Sequence, residues 1–377
     1  MDFSSSPEQR ELTELTASIL SSTLDGDRRA TLEAQGSDFD AELWKLLGQA
    51  GLLSVALPEF LGGAGLGLMD ACHVLIEVGR HAAPVPAGPH VAAATTLSRH
   101  ATDSILDTWG TALAAGDALI TPALSEAGGN IPDSPATCAT ANPDGYRIDG
   151  RKTLVPSGTS AQLFLVPARM AGVTELFLIN REDQGVRVVS QHVSGGYRPA
   201  ELTLSAVQVG PDRLIGKTGC GSASRDLVNI ALVADCAQQL GVTRRLIEMT
   251  SQYASQREQF GRPIGTFQAV GHRLADGYID TLGQELTLWK AAFALDNATP
   301  ADAAVAAAKF WAAEAGHRVG HSAVHIHGGV GVDLAGQVHR YYSMAKHLEF
   351  RHGGAHQHSV RLGAMMADPK NLAAEKI

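Results

Sequence analysis

The chain has 377 residues, of which 45% are hydrophobic and 18% are charged, and its formal net charge is −9. This length and composition are typical of a globular protein with two or three domains and exclude a disordered chain. No basic patch or stripe occurs, and every apolar run is shorter than the roughly 18 residues of a membrane-spanning helix. We therefore expect neither nucleic acid nor a membrane as a partner.

The four cysteines lie far apart in the sequence, at Cys72, Cys138, Cys220 and Cys236. No CxxC pair occurs, so neither a zinc ribbon nor a thioredoxin-like redox site is indicated. Sparse, unpaired cysteines fit a reducing compartment, and the N-terminus lacks the basic segment and apolar core of a secretory signal. The sequence therefore predicts a cytoplasmic protein.

The first third of the chain predicts helices. Ser6 is a candidate N-cap, with Pro7 at the first helical position and Gln9 closing a capping box. A second apolar helical pattern runs through residues 43–47 and ends near Gly51, and a third follows a Gly/Pro-rich loop, over residues 70–80. We expect an N-terminal helical domain over residues 1–118.

The middle of the chain has the texture of a β domain. Short apolar runs at residues 163–166, 176–179 and 186–189 are bounded by Gly, Pro, Asn and Asp. Residues 146–152 are interpreted as a strand with a tight turn. Several short strands at this spacing predict a β-barrel or sandwich over residues 119–215.

Long helical patterns return after residue 216. They cover residues 223–256, a segment that begins after Pro263, and residues 301–323. Antiparallel helices of this length pack as a bundle, so we expect a C-terminal four-helix bundle over residues 216–377. The fold class is then α+β.

The segment Arg257–Gln268 reads REQFGRPIGTFQ and lies between two of these helices. It resembles the R-x-x-F-G-x-x-(I/L)-x-x-(F/H)-Q signature of the acyl-CoA dehydrogenases, and the helix–strand–helix order resembles their fold over essentially the whole chain. The resemblance implies the acyl-CoA dehydrogenase fold and an FAD-dependent desaturation of an acyl-CoA substrate. In that family each FAD is shared: one subunit holds the flavin ring, and its neighbour clamps the ADP half.

By this resemblance, Arg257 would pair with the pyrophosphate of FAD, because a guanidinium fork suits phosphate oxygens. Phe260 would pack near the adenine. The other clamp residues that the resemblance implies are Gln259, Phe267 and Gln268. A single arginine at a helix end is otherwise a solvated surface charge, and that reading stays open.

A second segment, His325–Gly331, reads HIHGGVG and resembles the family's Q-(I/L)-x-G-G-x-G. His325 stands at the glutamine position and can still donate a hydrogen bond. Gly328 and Gly329 would let the backbone approach a phosphate closely, because they carry no side chain. All three are therefore candidate FAD-binding residues.

The motifs that hold a subunit's own flavin ring are weak here. In the loop that resembles T-E-P-x-A-G-S-D, Ser125 replaces the threonine as a hydroxyl donor and Glu126 is kept. In the segment that resembles N-G-x-K-x-W-I-(S/T), Leu154 replaces the tryptophan, and Pro156 removes a hydroxyl and a backbone N–H. Ser125 stays a candidate ring-side residue, and the alternative is a β domain that folds without a flavin beside it.

The catalytic base is the sharpest departure from the family. The glutamate of its C-terminal Y-E-G-T segment corresponds to His352, and its second known position, ten residues before Gly241, holds Ala231. Three substitutes stay open: His352 itself, since imidazole titrates near neutrality, Glu349, one turn before it, or Asp235, one turn beyond Ala231. Otherwise His352 is a substituted remnant, and the two carboxylates are surface charges or ion pairs.

Three histidines, His317, His321 and His325, share one face of a predicted helix. Along a straight helix they span about 12 Å, which is too far for one metal ion. No H-E-x-x-H pair occurs either, so we expect no metal site.

Two hypotheses follow. In the first, the chain resembles the base-lacking subunit of actinobacterial α2β2 acyl-CoA dehydrogenases that act on steroid side-chain CoA thioesters, and it requires a second subunit. In the second, it is a self-sufficient homo-oligomeric dehydrogenase with an unusual base. A scaffold without flavin is a third possibility, against which Arg257 and the glycine pair Gly328–Gly329 argue.

Overall fold

The structure is a computed structural model and describes residues 5–35, 39–129, 134–194 and 197–367. The chain divides into two compact units. The mixed unit comprises Ser5–Val74 and Pro84–Ala234, and the helical unit comprises Leu75–Ala83 and the chain from Asp235 onward. The mixed unit contains helices and a sheet, whereas the helical unit is nearly all helix.

The predicted capping box at the first helix is confirmed. The hydroxyl of Ser6 accepts a hydrogen bond from the backbone N–H of Gln9 at 3.2 Å, and Oε1 of Gln9 accepts one from the N–H of Ser6 at 3.0 Å. Two donors of the first turn are thereby satisfied. The helices up to residue 115 are α1 (Pro7–Thr23), α2 (Gly26–Gln35), α3 (Ala41–Gln49), α4 (Leu68–Arg80), α5 (Ala87–His100) and α6 (Asp103–Ala115).

A single sheet follows in the mixed unit. Its strands are β1 (Ile120–Pro122), β2 (Cys138–Asn142), β3 (Gly145–Val155), β4 (Leu163–Met170), β5 (Val173–Asn180), β6 (Val186–Ser190), β7 (Ala200–Val209) and β8 (Leu214–Ile215). The order is β6-β7-β3-β2-β4-β5-β8, and β1 pairs with β4 in parallel. Two of the three predicted apolar runs lie in β4 and β5, which are buried almost throughout, as continuous apolar runs in a covered sheet should be. The third lies in β6, an edge strand that is half-buried or exposed along its length.

The turn predicted within residues 146–152 is wrong. Strand β3 continues through this segment and pairs with β7, and a register shift between Ile148 and Gly150 accommodates the glycine. A Cβ at Gly150 would lie 2.7 Å from the Cα of Thr137, the residue before β2, so the close approach of that backbone requires glycine. Pairing with neighbouring strands has overridden the local turn preference of an Asp-Gly pair.

The helical unit is built from long helices. They are the second half of α7 (Ser222–Gln256), α8 (Gln268–Asp296), α9 (Asp302–His327), α10 (Val338–Phe350) and α11 (Ala355–Ala367), with two short strands, β9 (Glu258–Gln259) and β10 (Arg262–Pro263). The three predicted long helices are confirmed, although α9 extends to His327. No helix in the described ranges has an apolar stretch long enough to cross a membrane.

Glycines allow α7 to approach the end of α4 within the helical unit. A Cβ on Gly241 would lie 1.9 Å from the carbonyl oxygen of Ile76, and one on Gly79 would lie 2.0 Å from that of Gln238. Each helix therefore presents a glycine to the backbone of the other. This contact fixes the segment of α7 that contains Asp235. Asp235 is one of the three candidate substitutes for the missing base.

Candidate functional site

The segment after α7 forms a tight hairpin. Strands β9 and β10 pair antiparallel, with Arg262 opposite Gln259. The turn residues Phe260 and Gly261 have φ values of +56° and +76°. Two successive positive φ values are typical of a type I′ hairpin turn. Glycine adopts this conformation freely, whereas a phenylalanine there costs roughly 1–2 kcal/mol.

The hairpin presents an aromatic surface. The side chain of Phe260 is 93% exposed, and its ring contacts that of Phe267 edge-on, with 6.2 Å between centroids. The guanidinium of Arg262 lies 4.3 Å from the centroid of the Phe267 ring. A residue held in an unfavourable backbone conformation that exposes an apolar ring is expected where a ligand covers that ring.

Arg257 has a fixed backbone and an exposed side chain. Its N–H donates to the carbonyl of Tyr253 at 2.8 Å, and its carbonyl accepts from the N–H of Ile264 at 2.8 Å. The guanidinium is exposed and has no ion-pair or hydrogen-bond partner in the described part of the chain. Gln259 and Gln268 are exposed as well, the latter as the first residue of α8.

The second predicted segment lies beside the first. The ring of His327, the last residue of α9, stacks on Tyr253 with 4.3 Å between centroids. This contact joins the glycine segment to the helix turn that precedes Arg257. His325 is exposed on the last turn of α9, and a Cβ on Gly328 or Gly329 would meet nothing within 4 Å. There is therefore open space beside both glycines, although the N–H of Gly328 already donates to the carbonyls of His325 and Val324 at the end of α9.

These residues suit a nucleotide diphosphate. We call them the clamp, defined as Arg257, Gln259, Phe260, Phe267, Gln268, His325, Gly328 and Gly329. It offers a guanidinium that has no partner among the described residues and suits phosphate oxygens, two glycines with open space beside them, and an exposed aromatic ring on which a base could stack. The chemistry of this set fits the ADP half of FAD.

The ring-side candidates lie in the mixed unit and are largely engaged by the protein itself. Ser125 is buried, and its carbonyl accepts from the N–H of Thr153 at 2.9 Å. Glu126 accepts hydrogen bonds from the buried Lys152 at 2.7 Å and from the hydroxyl of Thr137 at 2.6 Å. Burial would raise the pKa of Glu126, but the hydrogen bonds from Lys152 and Thr137 outweigh it and lower this pKa. Glu126 therefore links Lys152 of β3 to Thr137, the residue before β2.

The segment around Leu154 is fixed by Gln191. The Oε1 of Gln191 accepts from the backbone N–H of Leu154 at 2.8 Å, while Leu154 adopts φ +54° and is 43% exposed. The carbonyl of Pro156 accepts from the hydroxyl of Thr121 at 2.7 Å. An exposed leucine and a proline replace the ring and the donors that a flavin would contact in the motif they resemble.

Asp235, Arg351 and His352 form a cluster in the helical unit, here called the buried cluster. Arg351 donates two hydrogen bonds to Oδ1 of Asp235, one of them from Nε at 2.8 Å, and Nη2 also donates to Gln238 at 2.8 Å. Nδ1 of His352 lies 2.9 Å from Oδ2 of the same carboxylate. Two of the three substitutes for the missing base, His352 and Asp235, are therefore in contact with each other.

The backbone of His352 is held in an unusual conformation. Its φ is +57°, and that of the following Gly353 is +96°. Nε2 of His358, on α11, lies 2.9 Å from the carbonyl oxygen of His352, and the N–H of Gly353 donates to the carbonyl of Phe350 at 3.1 Å. A left-handed histidine costs of the order of 1–3 kcal/mol, so the surrounding contacts must impose it.

The third substitute, Glu349, forms ion pairs. Lys346 donates to its Oε2 at 2.6 Å, and Nδ1 of His317 lies 3.1 Å from Oε1. Nearby, the buried Lys309 donates to the carbonyls of Leu348 and Glu349 at the end of α10. Of the alternatives for Glu349, the contacts favour a structural ion pair over a free base. Ala231, at the second base position, is buried in α7.

The ionisation of the buried cluster is set by its neighbours. Burial opposes a charged carboxylate, but Arg351 and His352 outweigh it and hold the pKa of Asp235 well below its usual range. Burial also lowers the pKa of His347 to about 3 and that of His358 to about 4. At neutral pH the cluster thus contains a charged aspartate, and the nearby His347 and His358, outside the cluster, are neutral.

Several contacts escaped the sequence patterns. The Tyr253–His327 stack and the pairing of Asp235 with Arg351 join residues 74 and 116 positions apart, and no local periodicity reports them. One signal was available: Asp235 lies within an apolar stretch of α7, and a charge in such a stretch requires a partner.

Two family models match the chain. The acyl-CoA dehydrogenase N-terminal domain matches residues 6–117, and the acyl-CoA dehydrogenase C-terminal domain matches residues 223–362. Together they cover more than half of the chain and flank the sheet.

Full-length relatives match as well. The chain is 40% identical to acyl-CoA dehydrogenase FadE27 of Mycobacterium tuberculosis, over 98% of this chain and 99% of the relative. Among solved structures, the ChsE4-ChsE5 complex from Mycobacterium tuberculosis matches with a TM-score of 0.91 and 41% identity, over 98% of this chain and 99% of that one. The Tcur3481-Tcur3483 steroid ACAD variant matches with a TM-score of 0.91 and 38% identity, over 97% and 99%.

These matches confirm the family and the fold that the signature segment implied. Acyl-CoA dehydrogenases are oxidoreductases that act on the CH–CH bond of acyl-CoA thioesters with FAD as acceptor. The exposed clamp and the helix–sheet–helix order agree with that assignment. The chain therefore belongs to the acyl-CoA dehydrogenase family.

Proposed function

We propose that the chain takes part in the FAD-dependent α,β-dehydrogenation of an acyl-CoA thioester as a subunit that lacks the catalytic glutamate and clamps the ADP half of FAD for a partner. The contrast between two sites carries the proposal. Arg257 is exposed and has no side-chain partner in the described part of the chain, whereas the position of the missing glutamate holds His352, which is hydrogen-bonded to Asp235. The guanidinium of Arg257 is therefore accessible to a ligand, whereas the position of the missing glutamate holds an imidazole in place of a carboxylate.

FAD, when bound, accepts the hydride from the β-carbon of the thioester. The contribution of this chain is to bind and orient. The guanidinium of Arg257 would contact the pyrophosphate, Phe260 would stack near the adenine, and the peptide groups at Gly328 and Gly329 would approach the phosphates. Gln259, Phe267, Gln268 and His325 would complete the clamp.

The partner would supply the ring site and the base. Leu154 and Pro156 offer neither the aromatic ring nor the donors of the ring-side motif, so this chain is poorly equipped to hold the flavin ring, although Ser125 stays a candidate donor. The names of two similar structures describe two-protein assemblies, and one is called a steroid ACAD. We therefore propose an α2β2 complex in the cytoplasm with a steroid side-chain CoA thioester as substrate.

Co-expression tests the proposal. The chain should be purified alone and together with a neighbouring acyl-CoA dehydrogenase gene product, and both samples should be examined by flavin absorbance and an acyl-CoA oxidation assay. We expect a colourless, inactive chain alone and a yellow, active complex. Stoichiometric FAD and full turnover in the chain alone would instead establish the self-sufficient dehydrogenase.

A further inference from the structure

We propose that Arg262 is a positioning residue of the clamp. Its guanidinium holds the ring of Phe267, and through that ring it orients Phe260 for the adenine of FAD. This role rests on the proposed function, because it assumes that the clamp binds the ADP half of FAD. It also goes beyond that function, since the signature of the segment leaves position 262 unspecified and assigns Arg262 nothing to do.

The pairing of β9 with β10 determines the side of the hairpin on which Arg262 lies. Arg262 is directly opposite Gln259 in this antiparallel pair. Residues that are directly opposite each other project their side chains to the same face. Arg262 therefore shares a face with Gln259, which is a clamp residue.

The guanidinium of Arg262 contacts an aromatic ring and not a carboxylate. It lies 4.3 Å from the centroid of the Phe267 ring, within the roughly 6 Å of a cation–π contact. Arg262 is exposed and has no ion-pair or hydrogen-bond partner in the ranges that the structure describes. Glu258, the nearest acidic residue in the sequence, is opposite Pro263 and so projects to the other face. The planar guanidinium is thus available to stack on the ring.

Phe267 in turn supports the exposed ring of Phe260. The two rings meet at an interplanar angle of 89°, with 6.2 Å between centroids. This edge-to-face arrangement is one that aromatic pairs prefer. Because Phe260 is 93% exposed, few other contacts within the chain restrain its ring. The orientation of Phe260 therefore depends on that of Phe267.

The backbone of Phe267 is fixed, whereas its side chain needs a further restraint. Phe267 precedes α8, and its carbonyl accepts from the N–H groups of Val270 and Gly271 at 3.0 Å each. Its own N–H donates to the carbonyl of Ile264 at 3.1 Å. These bonds leave the side-chain torsions free, and the contact with Arg262 is what restrains the ring.

A ring pair that is oriented before binding favours a nucleotide base. Ordering a side chain at the moment of binding opposes association, and a side chain that is already held avoids that cost. Arg262 should therefore raise the affinity for FAD without touching FAD itself. This distinguishes it from Arg257, whose guanidinium we propose contacts the pyrophosphate.

A double-mutant cycle in the co-expressed complex tests the inference. Titration of the apo-complex with FAD gives the dissociation constant of the wild type, Arg262→Met, Phe267→Leu and the double variant. Arg262→Met should weaken binding about 2- to 5-fold, the size of a cation–π contact at an exposed site. In the Phe267→Leu background the same substitution should have no further effect, because the ring through which it acts is gone.

Two controls separate this role from charge alone. Lys290→Met removes an exposed cation of α8 and should leave the affinity for FAD unchanged. Arg262→Lys keeps a cation for the ring but loses the planar group, so it should retain part of the affinity. An equal loss in Lys290→Met would overturn the inference, and so would additive losses in the cycle, because Arg262 would then act without Phe267.

The free chain provides a readout without FAD. Biosynthetic 4-fluorophenylalanine labels the ten phenylalanines, and the variants Phe260→Leu and Phe267→Leu assign two of the signals in the 19F NMR spectrum. Arg262→Met should shift both of these signals, whereas Lys290→Met should shift neither. If the signal of Phe260 does not move in Arg262→Met, Arg262 does not orient that ring and the inference is wrong.

Failure of the proposed function has a different signature. A wild-type complex that binds no FAD would contradict the clamp, and the role of Arg262 toward FAD would be lost with it. Tight FAD binding by the wild type together with additive losses in the cycle would leave the clamp in place and overturn only the role of Arg262.

Discussion

Two arginines of the helical unit, Arg257 and Arg351, are in opposite situations. Arg351 donates to both Asp235 and Gln238, and its charge is matched inside the protein. Arg257 is held only through its backbone, and its guanidinium is exposed and unpaired within the described residues. A cation matched internally contributes to folding, whereas an unmatched one on a strained hairpin is available to a ligand. The difference separates a cluster whose charges are matched inside the protein from the cation that we propose contacts FAD.

The largest expected effect tests this difference through stability. Arg351→Met leaves Asp235 buried without its cation, and removing one partner of a buried ion pair costs about 3–5 kcal/mol. Arg257→Met removes a solvated charge and should change the unfolding free energy by less than about 0.5 kcal/mol. Urea unfolding of the two variants beside the wild type measures both.

Equal losses in the two variants would remove the distinction between the two arginines. If Arg351→Met does not fold, Arg351→Lys provides the comparison, because lysine keeps the charge but loses the forked geometry. It should fall between the wild type and the methionine variant.

The second effect concerns the coenzyme. In the co-expressed complex, Arg257→Met should weaken FAD binding by about 10- to 150-fold, since a charge-assisted hydrogen bond contributes roughly 1.5–3 kcal/mol. Arg257→Lys should recover part of the affinity. Flavin content after gel filtration and titration of the apo-complex with FAD report the change.

The matched control is Lys290→Met. Lys290 is an exposed cation on the same unit, 22 residues after Gln268 on α8 and therefore about 33 Å along the helix. An equal loss of FAD in this control would mean that net charge rather than the clamp binds the coenzyme.

The hairpin of the clamp is easier to derive from the sequence than the contacts of the buried cluster, and the physical reason is the range of those contacts. The hairpin is local: twelve consecutive residues contain its turn, its arginine and the start of α8, so a linear pattern describes it. The buried cluster joins α7 to the turn after α10, and only tertiary packing brings Asp235 to His352. The same reason explains β3, where pairing with β7 overrode a local turn signal.

The third effect is a dependence of stability on pH that belongs to the cluster region and not to the exposed clamp. Burial lowers the pKa of His358 to about 4 in the folded chain, below the usual 6.5. The unfolded chain therefore binds a proton first, and stability that is complete above pH 6.5 is lost as the pH falls toward 4. At pH 5 the loss from this one group is about 2 kcal/mol.

Urea unfolding at pH 7 and pH 5 measures this slope. His358→Gln should lower stability at pH 7, because it disturbs the contact with the carbonyl of His352, and it should flatten the slope between the two pH values. His325→Gln, at an exposed histidine of the clamp, should leave the slope as it is. An unchanged slope in His358→Gln would assign the acid sensitivity to other groups.

The smallest expected effect is a trade-off at one clamp residue between the unfolding free energy of the free chain and FAD affinity in the complex. Phe260 destabilises the free chain, because its backbone is left-handed and its ring is exposed to solvent. Phe260→Asn should stabilise the free chain by about 1 kcal/mol, because asparagine tolerates positive φ in a type I′ turn. The same change should weaken FAD binding in the complex, because the aromatic surface is lost. A variant that gains stability and keeps full FAD affinity would show that the exposed ring serves something other than the nucleotide. If FAD binding is weakened as expected, the contact of Phe260 with the nucleotide in the complex explains why the free chain tolerates this unfavourable conformation.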